Sequence, residues 1–358
     1  MRKRWMTVML ALVLAAAMVP GMARAEGSWG SINQELSRAE GWQDYVAETA
    51  FPLGEGHPYA EGSDITVLDW GAYPSMDGST VCVPLAMELA RQHLDMAESD
   101  LAGFVAFSTT HYAYERLIGG LPNPTVTIGS RKAMMDDTRP VSLFLGTEPS
   151  DEEWAMAKAA GVELEMVPVC YDAFVFLVNG ANPVDDLSVE QIRGIYGGSV
   201  TNWQDVGGED RVIIPWQRPK NSGSQTAMEN LVMQGRTLMA VENYISDGMG
   251  DLVSAVGDYD NGRGSLGYSY LYYVDVLYKS GSVKVLSVDG IAPTPENLRS
   301  GAYPFTTCYW AVYRKGDEQA AAFAAWLAGE EGQRCVAQAG YIPFTQPETE
   351  KTPVESVH

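Results

Sequence analysis

The sequence predicts an α/β fold, and three observations carry the prediction. Short apolar runs with strand character alternate along the chain with segments of helical periodicity. One run, residues 174–178, reads Phe-Val-Phe-Leu-Val, as expected of a strand covered on both faces of its sheet. Four strand-to-helix junctions, around Ser79, Ser108, Thr147 and Ser222, carry hydroxyls or glycine. In open α/β sheets ligands collect at such junctions, beyond the carboxyl ends of the strands.

The elements follow in order. Residues 65–70 alternate as a short strand. Tyr73-Pro74-Ser75-Met76-Asp77-Gly78-Ser79-Thr80 turns into a helix over 85–94, and Pro84, tolerated only in a first turn, sets the helix start close to Ser79-Thr80. Residues 104–107 read as a strand that ends in Ser108-Thr109-Thr110 before a helix over 112–118. Residues 119–140, with Pro122, Pro124 and Pro140, form a long irregular excursion. A short apolar strand at 142–145 closes in Gly146-Thr147-Glu148-Pro149-Ser150, and a helix over 151–160 follows, with Ser150 as N-cap and Glu153 completing a capping box.

Residues 162–178 read as two strands. Ser188-Val189-Glu190-Gln191 opens a second boxed helix, and Asn202-Trp203 and Gly207-Gly208 are turns. A strand over 212–216 leads through Arg218 and Ser222-Gly223-Ser224 into a helix over 226–234, with Met228, Leu231 and Val232 on one face. The remainder predicts a helix within 241–259, a turn-rich loop at 258–267, an aromatic core run at 268–273, strands at 283–288 and 309–314, and helices at 319–328 and 333–337. In the helix over 319–328, Phe323, Trp326 and Leu327 face inward.

Ser222-Gly223-Ser224 is the most chemically pointed of these junctions. A small-residue turn opening a helix aims backbone N–H groups and two hydroxyls at one point, where the helix dipole adds partial positive charge. Arg218 stands ready as a bidentate clamp from the side, so the match is to an oxyanion.

At 358 residues the chain is long enough for two lobes with separate cores. Arg2-Lys3-Arg4, the apolar run 7–19, Pro20-Gly21 and Ala23-Arg24-Ala25 have the form of a signal peptide over 1–25, cleaved after Ala25. Its removal takes four basic residues and no acidic ones, so the formal charge moves from −22 to −26. That acidity argues against nucleic acid and anionic membranes as partners, and leaves anion capture to local donors. The first cysteine is Cys82, so no lipid-anchor cysteine follows the cleavage point, and the mature protein is expected to be soluble, periplasmic or secreted. Residues 26–63 read as an irregular leader and 346–358 as a disordered tail.

For an exported chain Cys82, Cys170, Cys308 and Cys335 are candidates for disulfides; a Cys170–Cys308 bridge and four buried thiols stand level. The four histidines, His57, His93, His111 and His358, form no metal motif, and no cofactor is implied. A serine hydrolase is the rival class, with His111 beside the Ser108 turn, but Ser222 and Ser224 lack a G-x-S-x-G elbow.

Taken together, Asp77-Gly78-Ser79-Thr80 with Pro84-Leu85-Ala86, Leu187-Ser188-Val189-Glu190-Gln191-Ile192 with Ile195-Tyr196-Gly197-Gly198, Thr201-Asn202-Trp203, Asn221-Ser222-Gly223-Ser224 and Gly264-Ser265-Leu266-Gly267-Tyr268 resemble the phosphate-binding proteins of bacterial phosphate ABC transporters. The resemblance runs over about residues 65–345 and implies a two-lobe type II periplasmic-binding-protein fold with the ligand cleft between the lobes. Lobe 1 would hold 64–170 and 309–345, lobe 2 would hold 171–308, and the crossovers would lie near 169–174 and 306–310. It implies a monomeric, non-enzymatic receptor that takes inorganic phosphate or a similar oxyanion to an ABC transporter permease. Carried over by motif, the ligand residues are Ser79, Thr80, Ser108, Thr109, Arg218, Ser222, Gly223 and Ser224, joined by Thr147 from the fourth hydroxyl turn. One departure stands out: the family's discriminating aspartate position is assigned to Ser142, with Glu148 or Asp77 as the carboxylates that would replace it. A module sensing another small anion or an organic phosphate is the alternative within the same fold.

Overall fold

The computed structural model describes residues 73–94, 104–123, 127–128, 135–136, 139–241, 245–246, 248–258, 262–277 and 281–344. The expectations for 1–25, 26–63, 65–70 and 346–358 lie outside the described residues. In chain order the first elements are β1 (Met76–Gly78), α1 (Val83–Leu94), α2 (Thr110–Gly119), β2 (Thr127–Ile128), β3 (Met135–Asp136), β4 (Leu143–Gly146), α3 (Asp151–Ala159) and β5 (Leu164–Asn179). Then come β6 (Asp186–Leu187), α4 (Val189–Tyr196), β7 (Ile214–Pro215), α5 (Gly223–Ala227), α6 (Met249–Gly257), β8 (Ser265–Tyr270), β9 (Val283–Val285) and β10 (Ser287–Val288). The described chain closes with α7 (Pro295–Arg299), β11 (Thr306–Arg314), α8 (Glu318–Ala328), α9 (Glu330–Gln338) and β12 (Ile342–Pro343).

The main sheet runs β1-β4-β11-β5-β8-β7, with β9 and β12 also on β5. β1 and β4 are parallel, as are β7 and β8, while β11 is antiparallel to both β4 and β5. The organising element is β5. From Leu164 to Ala173 it pairs with β11, and from Phe174 to Val178 it pairs with β8. One strand therefore serves both halves of the sheet, and it exchanges partners between Ala173 and Phe174.

Two strands predicted over 162–178 are thus one. Pro168 has no N–H to give a ladder, and the strand passes it with a register shift, from Tyr309 opposite Cys170 to Trp310 opposite Pro168. Residues 104–107 differ as well: they are buried but join no ladder among the described residues, and the Ala106 carbonyl accepts the Asn123 side-chain amide at 2.6 Å. Of the strand expected over 212–216, Ile214 and Pro215 pair with β8.

Helix starts follow the caps. The Ser150–Glu153 and Ser188–Gln191 boxes are both closed in each direction. Pro84 is the second residue of α1, behind a short turn of helix at Thr80–Cys82. α5 starts at Gly223, earlier than expected, because the Ser222 hydroxyl accepts the Gln225 N–H at 3.3 Å. The helix runs on through Met233 in a wider turn.

The core lies along β5 and β8. Phe174, Phe176, Tyr196 and Tyr268 are each fully buried and meet with ring centroids 5.3–6.0 Å apart. Each such ring contributes about 1.5–3 kcal/mol by leaving water. The aromatic run after Gly267 is core, as expected.

All four cysteines are free. Cys170 is opposite Tyr309 and Cys308 is opposite Tyr171, so the two thiols sit on neighbouring strands but on opposite faces of the sheet. A period-two side-chain pattern separates what the sequence brought near.

Candidate anion-binding site

The four hydroxyl turns gather at the ends of β1, β4 and the segment before α5. Ser79 ends β1, and its N–H bonds to the Leu145 carbonyl of β4 at 2.9 Å. A Cβ on Gly78 would collide with that same carbonyl, so only glycine lets the two strands close here. A Cβ on Gly146 would fall 2.9 Å from the Ser79 Cβ, which places the Ser79 turn directly beside the Gly146-Thr147 turn. Ser79 and Thr80 are both half-buried.

Ser108 is bound to the end of β1 by Asp77. The Asp77 carboxylate accepts the N–H groups of Gly78 at 2.8 Å and Ser108 at 2.7 Å, and the Ser108 hydroxyl at 2.5 Å. Arg116 donates to the Ser108 oxygen at 2.8 Å and lies 3.9 Å from Asp77. Ser108 is fully buried and its hydroxyl is spent inside this cluster; what the cluster presents outward is Thr109. Burial pushes the Asp77 carboxyl up to about 6, and the three bonds from Ser108 and Gly78 restrain the rise.

Thr109 has φ 79°, which is uncommon for a β-branched residue. Asn221, next to Ser222, has φ 65°. Strained backbone at turns is the kind of feature that clusters at ligand sites.

Thr147 and Gly223 bring the halves together. A Cβ on Gly223 would overlap the Thr147 hydroxyl and lie 3.1 Å from the Thr110 hydroxyl. Thr147 is 5% exposed, and its Oγ1 has no hydrogen-bond partner in the described structure. The Gly223 carbonyl accepts the Tyr270 hydroxyl at 3.1 Å, and the Thr147 carbonyl accepts that of Tyr114 at 2.7 Å. The N–H groups of Gly223 and Ser224 precede the helical ladder of α5.

Arg218 stands beside this helix start. Its Nε donates to the Ser246 carbonyl at 2.8 Å, and its Nη1 reaches the buried Ser224 hydroxyl at 3.5 Å. Its backbone N–H donates to the Tyr268 hydroxyl at 2.9 Å and to Gln225 at 3.2 Å, so the residue is fixed at both ends. At the rim Glu152 of α3 meets Lys220 at 2.7 Å and the Asn221 amide at 2.9 Å, beside an open cavity of about 550 Å³.

The two carboxylates considered as replacements behave differently. Asp77 is in the wall but its oxygens are occupied, whereas Glu148 is exposed next to Thr147, and its charge is felt by Tyr270 and Cys308. Ser142 lies further back and its hydroxyl donates to the Ser75 carbonyl at 3.3 Å. Among the described residues no group of three or more His, Cys, Asp or Glu is placed to hold a metal ion.

A PBP superfamily domain matches residues 126–331, more than half of the 358 residues. The chain belongs to the PBP superfamily. Among PBP superfamily relatives, the phosphate-binding protein PstS of Bacillus subtilis (strain 168) is 30% identical over 179 residues, which cover 48% of this chain and 56% of that protein. The chain thus spans just over half the length of this curated relative. A solved structure from Clostridium perfringens, described as a phosphate ABC transporter substrate-binding protein with bound phosphate, superposes with a TM-score of 0.55 at 28% identity, covering 76% of this chain and 99% of that one. The phosphate-binding protein from Stenotrophomonas maltophilia has a TM-score of 0.51 at 15% identity, over 76% of this chain and 91% of its own. These likenesses agree with the mixed α/β, type II architecture described above.

Three features of this candidate site escaped sequence reasoning. Asp77 and Ser108 are 31 positions apart, and nothing local in either turn signals their bond. Thr110 was read as helix lead-in, yet its hydroxyl faces Gly223. Tyr270 was read as core packing, and it is core, but its hydroxyl also holds the Gly223 carbonyl.

Proposed function

We propose that this protein is an extracytoplasmic solute-binding protein that captures phosphate, or an oxyanion of closely similar shape, between its two halves and delivers it to an ABC transporter permease. The observation that carries this is the meeting of Thr147 and Gly223: a buried hydroxyl with no partner faces a helix start, with Arg218 at its flank. Buried polar groups are ordinarily satisfied, and an anion at this point would take the Thr147 hydroxyl together with the N–H groups of Gly223 and Ser224. The ligand set comprises Ser79, Thr80, Thr109, Thr147, Arg218, Ser222, Gly223 and Ser224, with Ser108 holding Thr109 in place. The names of the PstS relative and of the phosphate-bound neighbour support the choice of phosphate.

A receptor suits the site better than a hydrolase. The Ser222 hydroxyl caps α5, and the His111 ring is engaged by Glu153 at 2.9 Å and by Glu115 at 3.7 Å. Neither has the base–nucleophile geometry that acyl transfer needs.

Isothermal titration of the purified protein against phosphate, sulfate and small phosphate esters tests the reading. The expected outcome is one phosphate per chain with micromolar or tighter affinity. A folded protein that takes up none of these anions would overturn it.

A further inference from the structure

Asp172 is buried at the point where β5 changes partners. It pairs with Thr307 of β11, two residues before the first pair with β8, Phe174 with Tyr270. Its side chain, 2% exposed, collects donors from three stretches of chain. The N–H groups of Ala173 at 2.7 Å and Tyr272 at 3.2 Å bond to one oxygen, and the Tyr309 hydroxyl of β11 donates to the other.

Each of the two tyrosines leads to one wall of the cleft. The Tyr309 ring packs on Tyr270 with centroids 5.5 Å apart, and the Tyr270 hydroxyl holds the Gly223 carbonyl. The Tyr272 ring stacks on Tyr341 at 3.7 Å, and the Tyr341 hydroxyl donates to the Val81 carbonyl, in the turn that follows Ser79-Thr80. We propose that Asp172 is the positioning residue of the site: in its ionised form it holds, through Tyr309–Tyr270 and Tyr272–Tyr341, the Gly223 turn and the Ser79–Thr80 turn at the separation that the anion needs. The anion itself rests on the function proposed above.

The chemistry of a carboxyl group supports an ionisation-dependent role. An ionised carboxylate only accepts, and here all three approaching groups donate. Once protonated it must spend one oxygen as a donor, so the Tyr309 bond has to reverse or break. The groups facing Asp172 are Tyr309 from β11, Tyr270 and Tyr272 from β8 and the turn beyond it, Asp275, Cys82 and Cys170. Burial holds the phenols and thiols protonated, so they do not titrate against it near neutrality. Burial likewise pushes the Asp172 carboxyl up to about 7, against the restraint of its three donors and with a further upward push from Asp275.

The test compares inorganic phosphate binding by the wild-type protein, Asp172→Asn, Tyr309→Phe and the double variant at pH 6 and pH 8.5. The Kd ratio of variant to wild type cancels phosphate's own ionisation. We expect that ratio for Asp172→Asn to be near one at pH 6, where the wild-type carboxyl is itself neutral, and about tenfold at pH 8.5. The double variant should be no weaker than the weaker single one, because both changes break the same bond. A ratio equal at the two pH values, or additive losses, would overturn the proposal. Amide hydrogen exchange of the ligand-free proteins at pH 8.5 gives a reading that needs no ligand. Exchange should quicken at 79–82 and 222–226 in Asp172→Asn while 318–328 is unchanged; unchanged turns, or equal quickening everywhere, would sink it. If the wild-type protein binds no phosphate, the ligand reading fails and the exchange result alone decides the positioning role. Tyr309→Phe, which removes a single hydroxyl, carries the test if Asp172→Asn does not fold.

Discussion

Gly223 and Thr147 meet across the cleft with no space for a methyl group between them. One belongs to the helix start of α5 and the other to the turn after β4, so their contact measures how closely the halves approach. Gly223→Ala should leave the fold intact, since the glycine has an ordinary helical position, but hold the halves apart. We expect phosphate affinity to fall at least about tenfold, a loss of roughly 1.4 kcal/mol, by titration calorimetry, with little change in far-ultraviolet circular dichroism.

Thr147→Val separates stability from binding. The hydroxyl it removes is buried without a partner, so the ligand-free protein should melt at the same temperature or higher, by an effect of about 1 kcal/mol. Phosphate should bind about tenfold more weakly or worse, because a donor to the anion is gone. A parallel loss of both melting temperature and affinity would contradict the assignment of this hydroxyl to ligand.

Asp77 predicts a pH dependence of stability. Its carboxyl is raised from 3.8 to about 6, so the folded protein binds this proton more tightly than the unfolded chain does. Stability from this group is therefore at its highest below the unfolded value and declines as pH rises from about 4 to about 6, by about 3 kcal/mol over the span. Asp77→Asn keeps the N–H bonds to one oxygen and can donate to the Ser108 hydroxyl with its amide. In urea titrations between pH 4 and pH 7 the variant should show a visibly flatter decline than the wild-type protein. An identical slope would remove Asp77 as its source.

His111 should act over a higher window. The hydrogen bond to Glu153, ahead of the other nearby carboxylates, raises its pKa above the ordinary 6.5. The stabilisation is thus fully present below about 6.5 and is lost as pH climbs through the raised value. His111→Gln should lower the melting temperature at pH 6 more than at pH 8.5.

The Glu152 contact with Lys220 and Asn221 lies in solvent and is weak on its own. Its expected effect is kinetic. Glu152→Gln should speed phosphate release a few-fold at low salt, by stopped-flow fluorescence, and the difference should fade near 0.5 M salt as screening removes the ion pair.

What the sequence made legible was local. Ser150 with Glu153 and Ser188 with Gln191 declare their helices because a capping box is written within four consecutive residues. The hydroxyl turns were legible for the same reason. The continuity of β5 was not, because Pro168 looks like a break until β11 absorbs it with a register shift. The assignment of Ser108 as an outward donor overlooked a partner 31 residues earlier, and only tertiary packing brings Asp77 beneath it. The Cys170–Cys308 alternative turned on a strand register, which a single residue's slip reverses.

That same strand has a consequence for how the protein can be cut and rebuilt. Because Leu164–Asn179 pairs with β11 in one half-sheet and then lies between β8 and β9 in the other, neither half is a portable module. A nick, a permutation point or a reporter inserted within it would orphan backbone groups on both sides at once. The exposed Asp289-Gly290 turn, just after the short peripheral strand β10, offers a far gentler opening.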